Sequence, residues 1–222
     1  MTKISAEILT GFHLFRGIAS TALQPYLPFF TRQRFSRRES ISFEPGTSDA
    51  VFFVRYGRVK ISYFSEDGKE FTVMILGPGE MYSRHSQAFV TALEETEVWI
   101  ISMENFLQIL QLDSQLPLRT IRILGRILHE TNTAIQNLAF REVTARLALF
   151  ILRQAGTHGK KVAKGLMVPL ELTHEDMANL IGSRRQTITS TLNRFHQQGL
   201  ITLSRGHLIV HDVERLQDLA NS

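Results

Sequence analysis

The chain contains no cysteine. That excludes Cys-ligated zinc, Cys-ligated iron–sulfur clusters and any thiol redox switch. Long apolar runs are missing as well. The longest, residues 147–152, is only a fraction of the roughly 20 residues a membrane helix needs. The opening Met-Thr-Lys-Ile-Ser-Ala-Glu lacks the charged-then-apolar layout of a secretory signal, so a cytoplasmic protein is expected. No nucleophile–base–acid grouping is readable, and an enzyme is not expected. His13, His129, His158, His174, His196, His207 and His211 are scattered, and none pairs with another at a metal-binding helical spacing beside a carboxylate.

What is present is an ordinary folded composition, 43% apolar and 21% charged, in 222 residues, enough for two domains. The charge is uneven. Residues 1–140 balance, with 14 basic and 14 acidic side chains, while residues 141–222 carry 11 basic against 7 acidic. The whole formal excess of +4 therefore lies in the C-terminal third. Such a bias suits an anionic partner, nucleic acid foremost, and is equally compatible with a solvated charged surface.

Residues 30–102 read as short strands and turns. "VFFV" (51–54) leads through "RYGR" to "VKISYF" (59–64), and Asp67-Gly68 is a strong hairpin signal before "FTVMIL" (71–76). "GPGE" (77–80) turns the chain again, and "EVWIIS" (97–102) is a further strand. Short strands so regularly spaced predict an antiparallel barrel or roll. A helix over 104–110 closes it.

The period then changes. Ile121, Leu124, Leu128, Thr131, Ile135 and Leu138 fall at alternating steps of three and four. That is a coiled-coil seam, which predicts a dimer helix; the other reading is an amphipathic helix lying on its own roll. Ile123 and Ile127 widen the stripe toward a second surface. Gly125 interrupts the seam at a cost of about 1 kcal/mol, so close approach of a cofactor or a partner helix is expected there. A second helix follows at 143–156, ended by Gly156 and Gly159. "HGKKVAKGL" (158–166) reads as a basic loop, and "MVPLEL" (167–172) as a strand.

The strongest motif is "LTHEDMANLIGSRRQTITSTLNRFHQQGLI" (172–201). Thr173 caps a first helix, with Asp176 in its first turn. Gly182 permits a sharp turn. Ser183 is expected to cap a second helix, with Gln186 completing a capping box. Ile188, Leu192 and Phe195 face inward, and Arg184, Arg185, Gln186, Thr189 and Ser190 face outward. This is helix-turn-helix layout, with donors and acceptors suited to base edges in a major groove. "GLITLSRGHLIVHD" (199–212) follows as a wing hairpin turning at Arg205-Gly206.

A β-roll, a long helix and a winged helix-turn-helix in this order resemble the CRP/FNR family of bacterial transcription regulators. "YGRVKI" and "GPGE" match its roll, and "IGSRRQTITSTLNRF" its recognition helix. The resemblance covers nearly the whole chain. It implies an α+β fold: an N-terminal antiparallel β-roll of the cyclic-nucleotide-binding kind (1–112), a dimerisation coiled-coil helix (113–139) and a C-terminal winged helix-turn-helix (140–222). It implies a homodimeric activator that binds palindromic double-stranded DNA and touches RNA polymerase through a roll loop. Arg185 and Gln186 become the principal base readers, with Thr189 and Ser190 in the next turn; Thr173, Ser183 and Arg184 complete the DNA-binding set. The family often has an Arg where Ser190 stands.

The family's cyclic-AMP receptors hold the phosphate with an Arg-Ser pair beyond the "GE" of the roll and the ribose with a Glu. Glu80 could supply the Glu, but "MYSRHSQAFVTA" lacks the phosphate pattern. "GEMYSRHSQAF" (79–89) and "ILGRIL" (123–128) instead resemble the family's carbon-monoxide-sensing haem branch. That resemblance implies haem b, with His85 as an axial iron ligand and the Thr2 amine of the partner subunit as the second, after removal of Met1. Imidazole is a good haem ligand, and a neutral α-amine is accessible with a pKa near 8. Ile121, Leu124, Gly125 and Leu128 would form the apolar distal wall. CO would displace an axial ligand and reposition the dimer helices and, through a hinge at 139–141, the DNA-binding domains. The best-known member of the branch has a cysteine two residues before its histidine; here that position is Ser83, so no thiolate can serve the ferric state. A family member with another small effector and no haem, or with no effector, is the alternative.

Overall fold

The computed structural model describes residues 5–41, 49–83 and 88–221. Two compact units divide them: Met1–Gly68 with Val73–Thr131, and Lys69–Thr72 with Asn132–Ser222.

The first unit begins with 3-10 turns at Ala6–Gly11 and His13–Phe15, a single helical turn α1 (Ser20–Leu23), and a further 3-10 stretch, Gln24–Phe29. Seven strands follow: β1 (Thr31–Phe35), β2 (Ala50–Tyr56), β3 (Val59–Phe64), β4 (Glu70–Leu76), β5 (Met81–Ser83), β6 (Phe89–Ala92) and β7 (Thr96–Ser102). They form two sheets, ordered β1-β7-β2-β5 and β4-β3-β6, with antiparallel pairing along the first. This is the expected roll.

The run "AVFFV" in β2 is buried throughout because its two faces serve different cores. Phe52 and Val54 face the space between the sheets, with Ile61, Leu76, Val90, Val98 and Ile100. Val51 and Phe53 face the other way, against Leu9, Phe12, Phe15, Trp99 and Phe106. Side chains alternate along a strand, so a strand covered on both faces loses its polar alternation. Each fully buried Phe in these layers contributes roughly 2–3 kcal/mol. The N-terminal turns supply the cover on the second face.

Helix α2 (Met103–Leu110) is capped by Ser102, whose Oγ accepts from Asn105 N–H. Helix α3 (Gln115–Phe140) then runs for 26 residues, about 39 Å. Ile123 packs on the aromatic core and Ile127 on the core between the sheets. The seam on the other side, Ile121, Leu124, Leu128, Ile135 and Leu138, is exposed. The helix thus carries two apolar stripes, one of them spent on its own roll.

The second unit contains α4 (Val143–His158), β8 (Lys160–Val162), β9 (Gly165–Pro169), α5 (His174–Ile181), α6 (Arg185–Gln197), β10 (Ile201–Ser204), β11 (His207–Val210) and α7 (Val213–Asn221). Its antiparallel sheet is ordered β10-β11-β9-β8. Leu147, Ile151, Met177, Ile181, Ile188, Leu192, Phe195, Leu208 and Leu216 make its core.

Three local expectations are corrected here. Gly156 does not end α4, which continues to His158 and closes on Gly159. Residues 158–166 are not a loop: β8 pairs with β9 from Lys160↔Met167 to Val162↔Gly165 around a two-residue turn. Gly165 makes that hairpin possible, with φ +137 and a backbone so near Val210 that a Cβ would strike its carbonyl. Ser183 does not cap α6. Its N–H donates to the Ala178 carbonyl at 2.9 Å, closing the end of α5 behind the left-handed Gly182. The chain needs one more residue before it can enter α6, so Arg184 is the N-cap and no side-chain capping bond forms with Gln186.

Candidate nucleic-acid interface and effector region

The helix pair is fixed by local chemistry at its entry. Thr173 Oγ1 accepts from Asp176 N–H at 3.1 Å, and the Asp176 carboxylate accepts from Thr173 N–H at 3.1 Å. This capping box starts α5, and Gly182 at φ +67 ends it. Helix α6 then buries Ile188, Leu192 and Phe195 completely and turns its other side outward. Arg184, Arg185, Gln186, Thr189, Ser190 and Asn193 line one open depression of about 660 Å³.

The structure therefore gathers five of the seven sequence-selected DNA residues onto one surface. Thr173 and Ser183 do not line it: Thr173 caps the start of α5, and Ser183 closes its end. Thr189 is half-buried, because its hydroxyl meets Nδ1 of His174 at 2.8 Å. Asn193 was missed, although it lies one turn beyond Thr189 on the same face. His174 was missed because nothing local in the sequence reports a contact made across two helices. The wing forms as expected, with β10 pairing β11 from Ile201↔Val210 to Ser204↔His207 around Gly206 at φ +79.

In the roll, the "GPGE" turn is held tightly. Gly77 N–H donates to Glu80 Oε2 at 2.7 Å, and Arg126 of α3 pairs with Glu80 Oε1 at 2.9 Å. The His13 N–H donates to the Gly79 carbonyl at 2.8 Å, and the His13 ring lies over the glycine, leaving no room for a Cβ. Burial, aided by the charges of Arg16 and Arg126 and opposed by Glu80, holds the His13 imidazole below its ordinary pKa. Further along α3, a Cβ built on Gly125 would meet nothing within 4 Å. His85 and Thr2, the two expected iron ligands, lie outside the described residues. Among the described residues, no group of three His, Cys, Asp or Glu side chains is placed to hold a metal ion, and no helix is long and apolar enough to cross a membrane.

A winged helix-turn-helix with a polar outer row, in one chain with a β-roll and a long striped helix, defines a DNA-binding regulator with a separate β-roll domain. Two family profiles match it: "Cyclic nucleotide-binding domain" over residues 32–113 and "Crp-like helix-turn-helix domain" over 145–219. The chain belongs to the CRP/FNR family of transcription regulators.

Its relatives span almost their full length. A CRP-like cAMP-activated global transcriptional regulator of Mycobacterium tuberculosis is 29% identical over 95% of this chain and 97% of its own. A global nitrogen regulator of Nostoc sp. is 28% identical over 90% of this chain and 91% of its own. Among solved structures, a double mutant of CooA from Carboxydothermus hydrogenoformans superposes with a TM-score of 0.83 at 27% identity, covering 99% of this chain and 97% of that one. CooA is a CO-dependent transcription factor.

Proposed function

We propose that this regulator is a haem-dependent, CO-responsive activator that binds palindromic DNA as a homodimer. Residues 1–112 are the effector domain, 113–139 the dimer helix and 140–222 the DNA-binding domain. The observation that carries the reading is the likeness to CooA over nearly the whole chain.

The residues that are described fit the group. Ile121, Leu124 and Leu128 offer exposed apolar surface on α3, and the open backbone at Gly125 leaves space beside them. His85 and the partner's Thr2 amine would hold the iron. Haem, when bound, would supply the iron at which CO is sensed. The chain's own residues do the rest. Arg126 ties α3 to Glu80, five residues before His85 in the sequence. At the far end of α3, the Arg146 guanidinium donates weakly to the carbonyls of Leu138 and Gly182, each at 3.4 Å. Those bonds link the end of the dimer helix to the turn of the helix-turn-helix. The exposed seam of α3 pairs with its copy, and Arg184, Arg185, Gln186 and Asn193 face the base edges. A roll loop contacts RNA polymerase.

A second reading, activation by a cyclic nucleotide, is favoured by the match of residues 32–113 and by the cAMP-activated mycobacterial relative. Against it, both oxygens of Glu80 are already engaged, by Gly77 N–H and Arg126. The test is the absorption spectrum of protein produced with ample haem, together with DNA affinity under CO and under cyclic AMP. The proposal expects a six-coordinate ferrous Soret band that shifts with CO, and tighter DNA binding in CO. His85→Ala should abolish the six-coordinate spectrum. Absence of haem with cyclic-AMP-dependent DNA binding establishes the second reading instead.

A further inference from the structure

Thr189 stands in the base-facing depression, yet its hydroxyl is already engaged inside the protein. It donates to the Arg185 carbonyl one turn back, at 3.0 Å. It also lies 2.8 Å from Nδ1 of His174. His174 is the first residue of α5, so the contact comes from the neighbouring helix. The Thr173–Asp176 capping box immediately before it fixes where that residue sits.

A hydroxyl has one proton and two lone pairs. Where His174 Nδ1 carries a hydrogen, it donates to Thr189 Oγ1, and the Thr189 proton goes to the Arg185 carbonyl. Where Nδ1 is bare, it accepts the Thr189 proton. With Nδ1 bare, His174 and the Arg185 carbonyl both draw on the one Thr189 proton, so it stays within the protein and a lone pair is what Thr189 offers outward. Ser190 differs: its hydroxyl, on an exposed side chain, is bonded to the Thr187 carbonyl at 3.0 Å, and it can turn away at little cost.

In the major groove each base pair shows one exocyclic amino group, on adenine or cytosine, and a keto oxygen on the opposite base. A hydroxyl limited to accepting pairs with the amino group and is repelled by the keto oxygen. We propose that Thr189 is a specificity-determining residue that selects adenine or cytosine on one strand of each half-site, and that His174 is the positioning residue enforcing the choice. This rests on the reading of α6 as the DNA-reading helix.

The test is selection of binding sites from a pool of randomised duplexes by the full-length protein, run with haem and CO, with cyclic AMP, and with neither. The wild type should show one position per half-site that favours adenine or cytosine over guanine or thymine on one strand by at least about fivefold. Thr189→Val and His174→Ala should each erase that preference and leave the other positions of the site unchanged, whereas Thr189→Ser should retain it. A general loss of stability would weaken every position together. A site with no amino-selective position, or with one indifferent to both Thr189→Val and His174→Ala, overturns this proposal while leaving DNA reading intact. No enriched sequence under any condition overturns the DNA reading and this proposal with it.

Discussion

Arg126 and Glu80 meet at 2.9 Å, joining the middle of α3 to the turn that leads into β5. The pair is half-exposed, so its worth in stability is small, about 0.5–1 kcal/mol. Under the proposed function its place matters more for coupling than for folding. Arg126→Ala should lower Tm by only a few degrees. It should also shrink the ratio of effector-bound to effector-free DNA affinity. Calorimetry and anisotropy titrations with labelled duplex measure the two effects separately.

The exposed α3 stripe predicts the assembly. Leu128 is 61% exposed in the single chain, whereas its neighbour Ile127 packs on the core between the sheets. Leu128→Glu places like charges together across the proposed seam without touching the roll. Sedimentation should show monomers, and affinity for a two-half-site duplex should fall at least about tenfold, because a dimer reads both halves at once. Far-UV circular dichroism should remain that of the folded chain.

Gly125 separates helix stability from effector response. A methyl there meets nothing within 4 Å in the protomer, and alanine is worth about 1 kcal/mol more than glycine in a helix. Gly125→Ala should therefore raise Tm slightly. If the glycine keeps space for the effector, the same variant should bind CO more weakly, as read by the Soret shift during titration. A lower Tm would show that a partner helix needs the glycine instead.

Glu97 predicts acid sensitivity. Its carboxylate is buried in the first sheet and accepts from Arg34 Nε at 2.9 Å and from Trp99 Nε1 at 3.1 Å. Burial acts to raise its pKa, but the bonds from Arg34 and Trp99 and the charge of Arg32 prevail and hold it below the ordinary carboxylate range. A depressed folded pKa gives stability that is complete above the unfolded value and is lost as pH falls through the folded one. Glu97→Gln should lower Tm by about 2–5 °C at neutral pH. The gap from the wild type should narrow in acid, where the wild-type carboxylate also loses its charge. Thermal melts across that range check the sign.

The parts legible in the sequence were those specified by neighbours a few residues apart. Thr173 with Asp176, Gly182, and the stripe of Ile188, Leu192 and Phe195 announce the helix pair within one short segment. Asp67-Gly68 and the turn at Arg205-Gly206 announce their hairpins. The stripe on α3 was legible too, down to Ile123 and Ile127 as a second face. The N-terminal turns over 5–29 left no such trace. Their short 3-10 pieces are held chiefly by packing Leu9, Phe12 and Phe15 against Phe53 and Trp99, which are far away in sequence. The start of α6 was misread by a residue because Ser183 closes α5 through its backbone N–H, a role its side chain does not announce.

By itself, then, the sequence determined the strands of the roll, the helix pair, the apolar seam, the outward row of α6 and the exclusion of thiol chemistry. These follow from periodicity, turn residues and composition, which act over one or two turns of chain. Only the tertiary structure decided that Glu80 is bound to Arg126 and that the Thr189 hydroxyl meets the His174 imidazole. Each of those outcomes depends on side chains from different elements meeting within hydrogen-bond distance, and no local pattern encodes which polar groups will meet.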